Sequence, residues 1–224
     1  MKYVILIPIY NDRESLKILI NNINTEIQDL DSEISVVVIN DASSQQIIDT
    51  YSNIENLQSF EIINMKENRG HTRCIASGLK YIFEKKEFDY VIPMDGDGED
   101  RPEEIKNFIK ISEQSDEKSI VGERVKRSES LFFQLCYLFH KYLTLAFTGQ
   151  SIKFGNFTCL SKSTVKKLLE EKATWNSFSG SLKKIEKELI STPSIRGKRY
   201  FGPSQMSFFK LLKHSLSIIS VFRK

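Results

Sequence analysis

Six acidic side chains fall within the ten residues that follow the apolar run YVIPM: Asp95, Asp97, Glu99, Asp100, Glu103 and Glu104. Like charges at this density repel one another, so the pattern calls for a cation or a helix start that uses them. Two carboxylates separated by one glycine, where a buried strand ends, can both face one hard divalent ion, because Gly96 tolerates tight or left-handed backbone. Mg2+ or Mn2+ held by only one or two carboxylates keeps positions open for substrate phosphates. Glu103 and Glu104 have a different explanation. They follow Pro102 at the start of the amphipathic stretch EEIKNFIKI, where acids complement a helix dipole.

The elements that must position Asp95 and Asp97 are legible in the first half of the chain. KYVILIPIY and EISVVVIN are continuous apolar, β-branched runs of strand length, as expected of parallel strands covered on both faces. Between them, DRESLKILINNINTEIQ sets Leu16, Leu19, Ile20, Ile23 and Ile27 at helical spacing, which completes a β-α-β unit. A second cycle follows, with SFEIINM as a strand, HTRCIASGLKYIFEKK as a helix and DYVIPMD as a buried strand. This half therefore predicts an open, doubly wound, mostly parallel α/β sheet with helices on both faces, whose ligands sit beyond the C-terminal ends of the strands. Residues 8–12, 40–43 and 95–97 all fall at such ends and are expected to share one crevice.

Composition narrows the function classes. A chain of 224 residues with net charge +3 has room for one large α/β domain, or a domain with an appendage. Its charge is polarised: residues 1–120 carry 13 Lys and Arg against 23 Asp and Glu, whereas residues 121–224 carry 19 against 6. A basic second half suits a polyanionic partner, namely nucleic acid, an anionic membrane surface or a phosphorylated substrate. The acidic crevice argues against a nucleic-acid backbone. Cys74, Cys136 and Cys159 show neither paired nor metal-type spacing, which disfavours a disulfide framework and points to a reducing cytoplasm. The first apolar run is followed at once by Asn11, Asp12, Arg13 and Glu14, unlike the core of a signal peptide.

In order along the chain, IPIYNDRESL, VVVINDASS, NRGHTRCIASGL, VIPMDGDGEDRPEEI, VGERV and RYFGPSQM resemble the motif series of family 2 glycosyltransferases with the GT-A fold. The nearest likeness is to the branch of dolichyl-phosphate mannose synthase and the bacterial polyprenyl-phosphate glycosyltransferases, and it runs from about residue 3 to about residue 222. The resemblance implies a nucleotide pocket lined by Pro8, Tyr10 and Asp12, the last standing where glutamate is usual. Asp41 matches an acid that contacts the base, while Asn40 replaces an acid one position earlier. Asn68 and Gly70 match an N-x-G turn before a helix whose N-terminus favours donor phosphate. Asp95 and Asp97 match the D-x-D that holds ribose and the metal-bound diphosphate. Glu99 and Asp100 occupy positions often held by Gln and by His or Asp. Arg124 matches the arginine of G-x-R, and Arg199, Ser204 and Gln205 match R-x-x-G-x-S-K near the donor or acceptor phosphates, with Gln205 in place of lysine.

The chemistry this implies is inverting transfer of a sugar from a nucleotide-diphosphate donor. Asp97, Arg124 and Arg199 are the candidate catalytic residues, since a divalent ion with arginines stabilises a departing diphosphate without a proton donor. A hydroxyl acceptor needs a general base, whereas an ionised phosphate monoester attacks unaided. No Asp or Glu lies between Glu129 and Glu170 or between Glu171 and Glu186, where acceptor-side carboxylates are usual in the family. That gap favours a polyprenyl phosphate acceptor, although Asp100 remains available as a base and Asn156 as a hydrogen-bonding substitute. Transfer to a hydroxyl of a surface polysaccharide is the alternative; a non-catalytic nucleotide-binding module ranks below both.

Two segments bear on a membrane. Residues 130–149 are strongly apolar but interrupted by Gln134, His140 and Lys141, against a spanning helix. Residues 205–224 combine Lys210, Lys213 and His214 with Phe208, Phe209, Leu211, Leu212, Leu216, Ile218 and Ile219, a pattern suited to an anionic interface, with core packing as the competing expectation. The expected organisation is one transferase domain over residues 1–204 followed by this basic amphipathic segment. The chain is expected to work in the cytoplasm, peripherally on the inner face of the cell membrane. Many relatives continue into transmembrane helices, so a separate membrane-protein partner is a further expectation.

Overall fold

The computed structural model describes residues 1–45, 54–126, 152–202 and 208–222. In chain order they form β1 (Lys2–Ile9), α1 (Arg13–Glu26), β2 (Glu33–Asn40), β3 (Ser59–Asn64), α2 (His71–Lys85), β4 (Tyr90–Pro93), a 3-10 turn (Pro102–Glu104), α3 (Ile105–Ser112), β5 (Ile120–Lys126), β6 (Phe154–Ser161), α4 (Lys162–Glu170), a second 3-10 turn (Lys172–Trp175), α5 (Phe178–Ile185), β7 (Ile190–Ile195) and α6 (Phe208–Phe222). The seven strands make one sheet in the order β3-β2-β1-β4-β6-β5-β7. Only β6 runs antiparallel to its neighbours β4 and β5.

The continuous apolar runs of β1 and β2 follow from burial on both faces. Alternation sends Tyr3, Ile5, Ile7 and Ile9 to the side covered by α1 and α3, against Leu16, Leu19, Ile23, Phe108 and Ile109. Val4 and Leu6 point the other way, to the core of Cys74, Ile75, Leu79, Val165 and Leu182 from α2, α4 and α5. A side chain at Gly78 would place Cβ 2.3 Å from a Leu6 methyl, so glycine there lets α2 approach β1 closely.

This topology decides where chemistry can collect. After β3 the chain crosses by α2 to the opposite side of β1, so strand order reverses between β1 and β4 and opens a crevice at their C-terminal ends. Because β6 is antiparallel, its beginning lies at that same edge. The ends of β5 and β7, which run parallel to β4, also arrive there. Four segments distant in sequence thus converge: the end of β1, the end of β4, the β5–β6 edge, and residues 196–202 beyond β7.

Candidate active site

Beyond β4 the chain makes a tight acidic loop. Gly96 owes its place to space, since an added Cβ would lie 3.2 Å from the Pro8 carbonyl oxygen and 3.2 Å from an Ile7 methyl. The left-handed turn falls at Gly98, with φ of 89°. Asp100 is buried and its Oδ2 accepts a 2.8 Å hydrogen bond from the Asp95 N–H, closing the loop on itself. Asp97 Oδ1 accepts from the Glu99 N–H at 2.9 Å. Pro102 opens the 3-10 turn with Glu103 and Glu104, the helix start expected of those acids. Glu104 has a further contact, accepting from the Ile195 N–H at 2.8 Å.

Residues 196–200 cross this loop as a strap. The Gly197 N–H donates to the Glu99 carbonyl at 2.8 Å and the Tyr200 N–H to the Asp97 carbonyl at 3.0 Å. The Tyr200 ring covers Gly98, where an added Cβ would come within 2.6 Å of it. Two strap arginines face the acids: Arg196 pairs with Glu99, and Arg199 pairs through Nη1 with Asp97 and through Nη2, at 3.1 Å, with Asp12. Arg124, on β5, lies along Gly155 of β6, whose Cβ would sit 2.7 Å from its guanidinium.

Asp95 takes a different set of partners. His71, the first residue of α2, places Nε2 3.2 Å from Asp95 Oδ1. Asn156 of β6 donates from Nδ2 to the same oxygen at 3.4 Å and lies 2.8 Å from His71 Nε2. Burial alone would raise the Asp95 carboxyl, but His71, then Arg196 and Arg124, hold it below the usual carboxylate range. Its neighbours go the other way. Burial and then the Asp95 charge push Asp100 up to about 7, and burial followed by Asp95 raises Asp97. Burial disfavours the His71 imidazolium, yet Asp95 outweighs it and the pKa is raised.

A second cluster lies at the end of β2. The buried Asp41 accepts from the Arg69 N–H at 2.7 Å and from the Gly70 N–H at 2.8 Å, holding the turn that launches α2. Asn68 Nδ2 donates to the Asp41 carbonyl at 3.3 Å, and Gly70 adopts φ of 88°. Asn40 is bonded within the protein, from Nδ2 to Asn64 at 2.7 Å and through Oδ1 to the Ser43 N–H at 3.0 Å. Tyr10 stands exposed at the end of β1, and Asn11, at φ of 49°, ties residues 43–45 beside it.

Of the residues expected at the site, Asp12, Asp95, Asp97, Arg124 and Arg199 meet around the acidic loop. Pro8 and Tyr10 lie on its β1 side, and Asp41, Asn68 and Gly70 shape the neighbouring turn. Ser204 and Gln205, like residues 130–149, lie outside the described residues. His71 and Arg196 were not anticipated. His71 follows the N-x-G motif directly, which was the one signal available for it; Arg196 carried none.

The donor set suits a hard divalent ion. Among the described residues no group of three or more His, Cys, Asp or Glu side chains converges as a cage. Two neighbouring carboxylates, of which Asp97 is raised in part by the charge of Asp95, with substrate oxygens completing the shell, are what Mg2+ or Mn2+ favours. Asp95 and Asp97 therefore fit such an ion.

The glycosyl transferase family 2 model matches residues 4–164. An undecaprenyl-phosphate 4-deoxy-4-formamido-L-arabinose transferase of Photorhabdus laumondii subsp. laumondii is 27% identical over 220 residues, covering 94% of this chain and 65% of the relative. The chain thus spans just under two thirds of that relative's length. Among solved structures, glucosyl-3-phosphoglycerate synthase from Mycobacterium tuberculosis, in complex with Mn2+, UDP-glucose and phosphoglyceric acid, superposes with a TM-score of 0.66 at 12% identity, over 99% of this chain and 78% of that one. S. aureus TarS in complex with UDP-GlcNAc gives 0.60 at 16% identity, over 97% and 66%. These likenesses identify the fold as GT-A.

Proposed function

The chain belongs to glycosyl transferase family 2, and from that premise we propose that it moves a sugar, with inversion, from a nucleotide-diphosphate donor to a polyprenyl phosphate at an anionic membrane surface. The observation that carries the reading is the meeting of Asp95 and Asp97 with Arg124 and Arg199 at the crevice between β1 and β4. In this reading Asp95 and Asp97 would hold Mg2+ or Mn2+, which would supply positive charge for the departing diphosphate. Arg124 and Arg199 supply positive charge to the same group. Tyr10 offers a ring to the base, and the α2 N-terminus beyond Gly70 favours phosphate. His71 and Asn156 orient Asp95.

The acceptor assignment draws on two supports. The P. laumondii relative is named for undecaprenyl phosphate. On β6, the side chain that reaches Asp95 is the amide Asn156, which cannot act as a base toward a hydroxyl. A polysaccharide hydroxyl would need a base such as Asp100, whose Oδ2 is engaged by the Asp95 N–H. Residues 1–204 are the transferase domain in this scheme, and 205–224 face the lipid from the cytoplasmic side.

The test is a transfer assay with purified protein, UDP- and GDP-sugars, Mg2+ or Mn2+, and undecaprenyl phosphate in liposomes. Metal-dependent transfer to the lipid is the expected result and names the sugar. Donor hydrolysis without lipid transfer would move the acceptor to a glycan hydroxyl, and inactivity of the folded protein across the panel would overturn the transferase reading.

A further inference from the structure

Both oxygens of Asp97 are engaged. Oδ1 is held by the Glu99 backbone N–H, inside a turn fixed by the left-handed Gly98 and covered by Tyr200. Oδ2 is held by the Arg199 guanidinium. Each oxygen keeps a second lone pair, but the Arg199 guanidinium sets a positive charge on Oδ2 that repels an approaching divalent ion, and of the two contacts it is the one made by a side chain, which can turn away while the Glu99 backbone cannot. The arginine's own backbone stays in place, because Gly197 and Tyr200 on either side donate to the carbonyls of Glu99 and Asp97.

The guanidinium is also held from a second side. Nη2 lies 3.1 Å from Asp12 Oδ2, so the planar fork spans two carboxylates from opposite walls of the crevice. When Nη1 leaves Asp97, Asp12 retains the charge within the site. The Arg199 and Asp97 side chains are each only 16% exposed, so the pair competes with an incoming cation more strongly than a solvated surface pair would.

We infer that Arg199 is a two-position residue: without donor it stands as the counter-cation of Asp97, and when a nucleotide diphosphate arrives with its divalent ion, it leaves Asp97 and takes the diphosphate as its new partner. This rests on the reading of Asp95 and Asp97 as ion ligands for a nucleotide diphosphate. Its consequence is coupling. The ion alone approaches against an arginine that stays on Asp97, whereas the ion with nucleotide brings the anion that receives the arginine, so each ligand strengthens the other reciprocally. The strap thereby keeps the site closed to free metal and opens it to the metal–nucleotide pair.

Mn2+ binding, followed by electron paramagnetic resonance on the full chain alone, with UDP and with GDP, tests this without turnover. The unsubstituted protein is expected to bind Mn2+ weakly and to bind it more tightly with one of the nucleotides. In Arg199→Gln, Mn2+ alone should bind about tenfold more tightly, and the gain on adding nucleotide should shrink by a similar factor, the scale of one charge-assisted contact. Arg199→Lys keeps the charge but cannot span both carboxylates, and should shift both quantities in the same direction by less; it serves if the glutamine variant does not fold. Arg196→Gln removes the same charge from the same strap, but from a residue paired with Glu99 that acts on Asp95 only through its field and touches neither oxygen of Asp97, and should tighten Mn2+ clearly less than Arg199→Gln does.

Two results overturn the inference while leaving the site reading intact: Mn2+ affinity unchanged by Arg199→Gln, or an equal tightening by Arg196→Gln, which would mean a general field rather than an occupied ligand. Failure of the unsubstituted chain to take up Mn2+ with either nucleotide would overturn the site reading, and this inference with it.

Discussion

Asp95 and Asp97 are two residues apart, yet their surroundings divide the work between them. Asp97 faces the strap arginine, and Asp95 faces His71 and Asn156. Asp97→Asn should lower donor kcat/KM about 10²–10³-fold, the cost of losing one preorganised charge contact. Because burial and Asp95 both disfavour the Asp97 carboxylate, its removal should leave thermal unfolding unchanged or slightly higher. Full activity in this variant would exclude Asp97 from ion binding. His71 acts one step further out. His71→Ala should cost about 10–100-fold in Mn2+ affinity measured with nucleotide, as loss of a partner that orients a metal ligand typically does. His71→Gln keeps a donor near Asp95 and should recover most of that loss; equal defects in both variants would make His71 a packing residue of α2.

At the scale of elements, the strap after β7 and the loop after β4 function as a pair, and glycine makes the pairing possible. Gly98 has φ of 89° and lies beneath the Tyr200 ring, so Gly98→Ala meets both a backbone penalty and a clash. We expect a loss of about 1–3 kcal/mol in stability and a raised donor KM, read by denaturant unfolding and by kinetics. A raised KM without destabilisation would place the effect in the strap alone; neither effect would mean that the strap is not held as described. Legibility from sequence also divides by element. β1, β2 and α2 were readable because burial on both faces writes unbroken apolar runs and a 3.6-residue period. β5, β6 and β7 carry IVGERVK, FGNFTCLS and ISTPSI, short and mixed runs in which the edge strand β7 even includes Pro193, so no period marks them. Glycine in the D-G-D run was legible, but its work is close packing on β1, and the left-handed turn falls two residues later. The arginine partners were illegible for a simpler reason. Arg199 is 102 residues from Asp97 and 187 from Asp12, distances across which spacing carries no information.

The charge polarity of the whole chain acquires a structural meaning once the sheet is assembled. Acids from the first half, Asp12, Asp95, Asp97 and Glu99, meet arginines from the second half, Arg124, Arg196 and Arg199, at one edge. That accounts for part of the basic excess, leaving the lysines of the C-terminal segment to be explained. The helix α6 there has two aspects. Ile218, Ile219 and Val221 are buried, and Val221 lies so near α5 that a Cβ at Gly180 would come within 3.2 Å of it. Leu212 and Leu216, one turn apart, are 37% and 56% exposed. Among the described residues no helix is long and apolar enough to cross a membrane. Deleting residues 205–224 would therefore strip core contacts together with any lipid contact, and a loss of binding would be ambiguous. The double substitution Leu212→Ser with Leu216→Ser separates the two. Each leucine contributes up to about 1.5–3 kcal/mol on full burial, so partial insertion of both predicts about a tenfold or greater loss of sedimentation with vesicles containing anionic lipid, with unchanged thermal unfolding. Raising salt should weaken binding of the unsubstituted chain as well, because the flanking lysines act through a screened field. Unaltered sedimentation of the double variant would assign α6 to packing on α5 and leave the approach to lipid to another part of the chain.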